Sequence, residues 1–131
     1  VNNSGLWLEF GVATGRTINI ISSKTTNKVY GFDTFQGLPE DWDDHQAKGV
    51  YSQDGVLPKV NSNVELIIGL FQDTLQKFLD EHPEPIAYLH MDADLYSSTK
   101  YVFDNIEDES FLERLFPLMK FIINKYILIM R

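Results

Sequence analysis

Short, continuously apolar runs recur along this chain, each followed by a stretch with helical spacing, and that alternation restricts the folds open to it. Trp7-Leu8-Glu9-Phe10-Gly11 reads as a strand and residues Gly15 to Ser23 as the helix after it. Lys28 to Asp33, Val64 to Ile68 and Ile86 to Met91 read as further strands. Gln72 to Glu81 places Leu75, Phe78 and Leu79 on one helical face and is closed by Pro83 and Pro85, while Ser97 to Asn105 opens another helix with Ser97 or Ser98 as N-cap. Strands that are apolar throughout, rather than alternately, are buried on both faces, and with helices between them they form a parallel sheet. The expectation is therefore an α/β, doubly wound, mostly parallel sheet with helices on both faces. In such sheets ligands sit beyond the carboxyl ends of the strands, where the strand order reverses. The polar residues of interest fall at those ends: Gly11 to Gly15, Asp33, Gly69 to Asp73, and Asp92 to Asp94.

Two segments depart from the alternation. Thr34 to Asn63 holds Gly37, Pro39, Gly49, Gly55 and Pro58 without a lasting period, a long excursion with a short helix expected at Asp41–Ala47. Phe116 to Met130 is strongly apolar but is interrupted by Pro117, Lys120, Asn124 and Lys125. At about 15 residues it falls short of the roughly 20 that a membrane span needs, so it reads as a buried strand over Phe121 to Met130. With 131 residues the chain has room for one domain, residues 1–131, and its 44% hydrophobic and 23% charged content is that of a folded globular protein. It begins without Met and enters a strand within a few residues, which reads as a piece of a longer protein, incomplete at both ends. A net charge of −8 offers no electrostatic footprint for nucleic acid or an anionic membrane. The absence of cysteine excludes disulfides and thiolate metal sites and fits a cytoplasmic location.

The turn after the first strand carries small residues at alternate positions, Gly11, Ala13 and Gly15, which permit a tight bend and close approach of backbone to a ligand. Taken alone it is a glycine-bearing turn of any α/β protein. Asp33, 22 residues after Gly11 at the end of the second strand, is placed to reach the vicinal hydroxyls of a ribose. That geometry leaves nicotinamide dinucleotides and S-adenosylmethionine both open. The turn lacks the G-x-G-x-x-G pattern that a pyrophosphate requires, and Glu9 beside a helix start suits the amino-acid moiety of S-adenosylmethionine, contributing to an ammonium site.

Three blocks carry a resemblance. Leu8-Glu9-Phe10-Gly11-Val12, the run Tyr30-Gly31-Phe32-Asp33-Thr34-Phe35-Gln36-Gly37-Leu38-Pro39-Glu40-Asp41-Trp42, and Leu89-His90-Met91-Asp92-Ala93-Asp94-Leu95-Tyr96-Ser97-Ser98-Thr99 resemble the macrocin O-methyltransferase family of class I methyltransferases. The likeness runs from about Trp7 to Val102. It implies a Rossmann-like sheet, the truncated core of such an enzyme, and methyl transfer to hydroxyls of small sugar or phenolic natural products, often with a divalent metal. It also implies that Glu9, Gly11, Ala13 and Gly15 form the cofactor turn, with Ala in place of the middle Gly, and that Asp33 is the ribose acid. Gly69 to Asp73 is similar to the segment that frames adenine, which makes Phe71 and Gln72 adenine contacts. Asp92 matches a metal-binding carboxylate and Asp94 the general base.

The chemistry implied is displacement at a sulfonium methyl by a hydroxyl oxygen, which needs its proton removed or its pKa lowered. A carboxylate-held Mg²⁺ at Asp92 and a base at Asp94 would supply both functions; the alternative is that these acids cap the following helix. In the family an acidic pair and an aromatic complete the metal site from the fifth strand. Asn124-Lys125-Tyr126 stands there in this chain, so Asn124 would ligate through its carbonyl oxygen. His90 reads as a core residue or one behind the site, His45 and His82 as loop residues, and Asp41, Asp43 and Asp44 around Trp42 as a solvated lid, with Trp42 a candidate cover for the acceptor. Three functions are thereby in contention: an S-adenosylmethionine-dependent O-methyltransferase acting on a small-molecule acceptor, a cofactor-binding but inactive module, and an NAD-dependent oxidoreductase.

Overall fold

The computed structural model describes residues 5–36, 56–93 and 96–106. In chain order these form β1 (Leu6–Phe10), α1 (Arg16–Ser22), β2 (Val29–Asp33), β3 (Val64–Ile68), α2 (Phe71–Glu81), β4 (Ile86–Met91) and α3 (Tyr96–Ile106). The strands pair in the order β3-β2-β1-β4, every pairing parallel. The chain builds outward from β1 through β2 to β3, then crosses back to lay β4 on the other side of β1. The order thus reverses between β1 and β4.

Each face of the sheet has its own core. On one face Leu6, Leu8, Phe10 and Phe32 pack with Leu75, Phe78 and Leu79 of α2 and Val102, Phe103 and Ile106 of α3. On the other, Trp7, Val12, Val29 and Phe35 pack with Ile18 and Ile21 of α1. Helices on both faces make the sheet doubly wound, as the apolar strands require, and β1 is buried over its whole length. Gly31 lies where α1 presses on the sheet: a Cβ there would meet Ile18 Cδ1 at 2.5 Å and Val12 Cγ2 at 2.7 Å. The phenyl rings of Phe10 and Phe32 stack at 4.6 Å beneath the other face.

The elements lie within one residue of their predicted bounds, and the differences have local causes. β1 stops at Phe10 rather than Gly11 because Gly11 turns to φ +94°. α1 is shorter than predicted, with Gly15 as its N-cap and no side-chain cap. Ser97 and Ser98, expected as caps, lie inside α3, which already starts at Tyr96. The helix expected at 41–47 and the strand at 121–130 lie outside the described residues.

A helix of seven residues cannot hold itself, and α1 is tied down from the far end of the excursion. The Asn63 amide donates to the carbonyls of Ser22, Thr25 and Asn27 at 3.0, 3.2 and 3.0 Å. Asn61 donates from its backbone to Asn19 Oδ1 and from its side chain to the Asn19 carbonyl, while Asn19 Nδ2 donates to the Lys59 carbonyl. Removing the Asn63 amide takes a donor from three carbonyls at once. Asn63→Ala is expected to lower stability by about 1–2 kcal/mol, read as a shifted urea midpoint with unchanged slope.

Candidate functional site

The crossing point of the sheet gathers the carboxyl ends of β1, β2 and β4. Gly11 donates its N–H to the Phe32 carbonyl at 2.9 Å, and Asp92 donates its own to the Phe10 carbonyl at 2.8 Å. The ends of β2 and β4 are thereby pinned to the turn that follows β1. Contact is so close that a Cβ on Gly11 would lie 2.3 Å from the Asp92 carbonyl oxygen. Gly15, at φ +82°, is covered by Pro58 and Val60, its would-be Cβ lying 3.1 Å from Pro58 Cβ. At Gly11 and Gly15 the small residues thus also permit close approach of this chain's own atoms. Ala13 holds φ +51° between them.

Three acids meet here in three environments. Glu9 is fully buried, with its Oε1 3.2 Å from His90 Nδ1 and its Oε2 without a hydrogen-bond partner. Burial, and then the nearby charges of Asp92 and Asp33, push its carboxyl up to about 8. Asp33 is half-buried, its Oδ2 accepting the N–H groups of Val12 and Ala13 at 2.8 Å each and its Oδ1 that of Phe35 at 2.9 Å. Asp92 is exposed. Beneath Glu9 and His90, Trp7 and Tyr88 stack at 4.8 Å, and burial, then Glu9, raises the Tyr88 phenol above its ordinary value.

The expected site residues divide accordingly. Glu9, Gly11, Ala13, Asp33 and Asp92 come together at the crossing point, with Gly15 at the foot of α1. Phe71, opening α2, meets Phe10 edge-on at 5.2 Å, half-buried against the core, and Gln72 beside it is exposed. Asp94, Asn124, Trp42, His45 and Asp41, Asp43 and Asp44 lie outside the described residues. Among the described residues no group of three or more His, Asp or Glu side chains is placed to hold a metal ion. His90, expected in the core or behind the site, lies behind it as the partner of Glu9, a pairing that sequence reasoning did not give. It faces Glu9 because the two strands pair Glu9 with His90, a register invisible until β4 is known to neighbour β1.

A family model described as a methyltransferase domain matches residues 8–110. Among solved structures, the apo structure of CalS11, a TDP-rhamnose 3′-O-methyltransferase and an enzyme in calicheamicin biosynthesis, is 28% identical over 86% of this chain and 51% of that chain, with a TM-score of 0.54. The structure of the O-methyltransferase NovP is 23% identical over 85% of this chain and 52% of that one, with a TM-score of 0.50, a likeness of fold. The chain thus spans about half the length of the solved structures it matches. No curated protein matches it.

The Glu9 carboxyl makes the stability of the unliganded protein depend on pH. Its folded-state pKa lies above the unfolded value, so the folded chain keeps a proton that the unfolded chain releases. Stability is expected to fall as pH rises from about 4.5 to about 8, then level off. Glu9→Gln, which cannot ionise, should flatten that slope in thermal melts across the same range. An unchanged slope would assign the dependence to other groups.

Proposed function

The chain belongs to the methyltransferase-domain family, and on that premise we propose that it binds S-adenosylmethionine at the crossing point of its sheet and serves methyl transfer to a hydroxyl of a small sugar or phenolic acceptor. The observation that carries this reading is the buried Glu9 carboxyl, whose Oε2 has no partner and lies beside the turn at the end of β1. A buried oxygen without a donor suits a ligand that brings one, and an ammonium group brings three. When bound, S-adenosylmethionine supplies an electrophilic methyl group.

The chain's own residues divide the work as follows. Glu9 accepts from the amino group, giving up its proton as the cation arrives, and His90 orients its Oε1. The backbone of Gly11, Ala13 and Gly15 shapes the turn. Asp33 accepts a ribose hydroxyl at Oδ1. Phe71, half-buried against Phe10, offers its remaining face to the adenine with Gln72 beside it. Asp94 takes the acceptor's proton. Asp92 with Asn124 is the matching place for Mg²⁺, which would lower the pKa of the acceptor hydroxyl there. The blocks around Asp33 and Asp92 support the macrocin O-methyltransferase group as the branch of the family. The likeness to a protein described as a sugar 3′-O-methyltransferase supports a hydroxyl acceptor. The cysteine-free composition supports a cytoplasmic setting, and no described helix is long and apolar enough to cross a membrane.

Titration calorimetry with S-adenosylhomocysteine tests the reading. Binding is expected in the micromolar range, about −8 kcal/mol, with Glu9→Gln weakening it at least tenfold and proton release appearing as a buffer-dependent heat. Binding without turnover on any hydroxyl acceptor would favour an inactive module. Binding of NAD in place of S-adenosylhomocysteine would sink the proposal.

A further inference from the structure

Two non-glycine residues among those described hold a left-handed backbone, Ala13 at φ +51° and Phe35 at φ +59°. Such a conformation is disfavoured for any residue with a Cβ, and for a bulky one it needs an outside cause. The two lie on different loops, one after β1 and one after β2. Both donate their N–H to one carboxylate: Ala13 to Asp33 Oδ2 and Phe35 to Asp33 Oδ1. Val12 adds a second donor to Oδ2. Phe35 thereby turns its ring into the core beside Trp7 and Val12, where it is buried.

We infer that Asp33 is a positioning residue of the turn after β1, acting on a bound nucleoside mainly through the backbone of Val12 and Ala13, with one acceptor position left for the ribose. A carboxylate offers about four acceptor positions. Three are taken, so a two-handed grip on vicinal hydroxyls would require releasing a turn N–H. The ionised group is the right one for the task, since a charged acceptor strengthens each amide bond it receives. The Phe35 bond is also the local turn an Asp makes two residues ahead of itself. One oxygen shapes the loop after β1 and the other the loop after β2, which couples the two walls of the crevice. The inference rests on the proposed nucleoside site, and its test separates the two.

The affinities of the unaltered chain, Asp33→Ala and Asp33→Asn are measured by calorimetry for S-adenosylhomocysteine and for its 2′-deoxy and 3′-deoxy forms. Amide hydrogen exchange is followed in the unliganded proteins. Positioning predicts that the unaltered chain loses less than about fivefold on either deoxy ligand, while Asp33→Ala loses about 30-fold on all three alike. Asp33→Asn, whose single carbonyl oxygen can still receive Val12 and Ala13, should stay within about fivefold of the unaltered chain. In exchange, Asp33→Ala should expose the amides of Val12, Ala13 and Phe35, and Asp33→Asn that of Phe35 alone. If the unaltered chain loses as much on a deoxy ligand as Asp33→Ala loses on the parent, the residue acts on the ribose directly and the inference is overturned. Unchanged exchange at Val12 and Ala13 in Asp33→Ala overturns it as well. Failure of the unaltered chain to bind any of the three ligands would refute the nucleoside site, and the exchange pattern would then decide the positioning role by itself. Should Asp33→Ala not fold, Asp33→Asn decides: its one carbonyl oxygen cannot serve both loops, so protection at Val12, Ala13 and Phe35 all equal to the unaltered chain's overturns the inference.

Discussion

At the end of β1 two consecutive backbone groups face opposite ways, and everything at the crevice depends on them. The Phe10 carbonyl receives the amide of Asp92 from β4, and the Gly11 amide reaches the Phe32 carbonyl on β2. One peptide unit, Phe10–Gly11, thus joins the two halves of the sheet at the point where the strand order reverses. The bend that allows it needs φ +94° and leaves no room for a Cβ against the Asp92 carbonyl. Only glycine meets both demands. Phe10 and Phe32, which supply the accepting carbonyls, are fully buried, and a buried carbonyl left without a donor costs its desolvation.

Pinning three strand ends together also brings three acids together, and the chain relieves the resulting repulsion by three different means. Asp33 is surrounded by amide donors, so its charge is spent on shaping loops. Glu9, buried and without enough donors, keeps its proton to well above the usual carboxylate range and shares a contact with His90. Asp92 remains in contact with water. The consequence for function is a crevice with one carboxylate already occupied, one held in reserve and one open. A cationic ligand would be drawn to such a place.

The segment that returns from the long excursion has a supporting part in this. Pro58 and Val60 cover Gly15, and Asn61 and Asn63 hold α1 through its carbonyls and through Asn19. α1 has no side-chain cap and no acid in its first turn, so its position is set by these outside contacts and by Ile18 pressed against Gly31. The turn after β1 is therefore framed from two sides, by the Asp33 carboxylate and by the returning segment.

How much of this was legible in the sequence differs by residue. The four strands and three helices were, within a residue of their ends, because burial on both faces and on one helical face leaves periods of apolar residues that need no knowledge of neighbours. Gly11, Asp33 and Asp92 were legible as strand-end residues for the same reason, and the blocks around them as a family resemblance. What was not legible was the reason each residue is there. The spacing of Gly11 to Gly15 suggested close approach to a ligand, and the structure adds that a Cβ at Gly11 or Gly15 would also meet Asp92 or Pro58 of this chain. His90 read as a core residue or one behind the site without a named partner, and Asn61 and Asn63 as the end of the long excursion. Which strand lies beside which, and in what register, is decided by contacts between residues some 80 positions apart, such as Glu9 with His90. The sequence by itself determined the elements, their order and the acids at their ends, since these follow from local periods of polarity. Only the tertiary structure decided that Asp33 would hold two loops and that Glu9 would keep its proton, because both follow from which donors and charges the folded chain brings within reach.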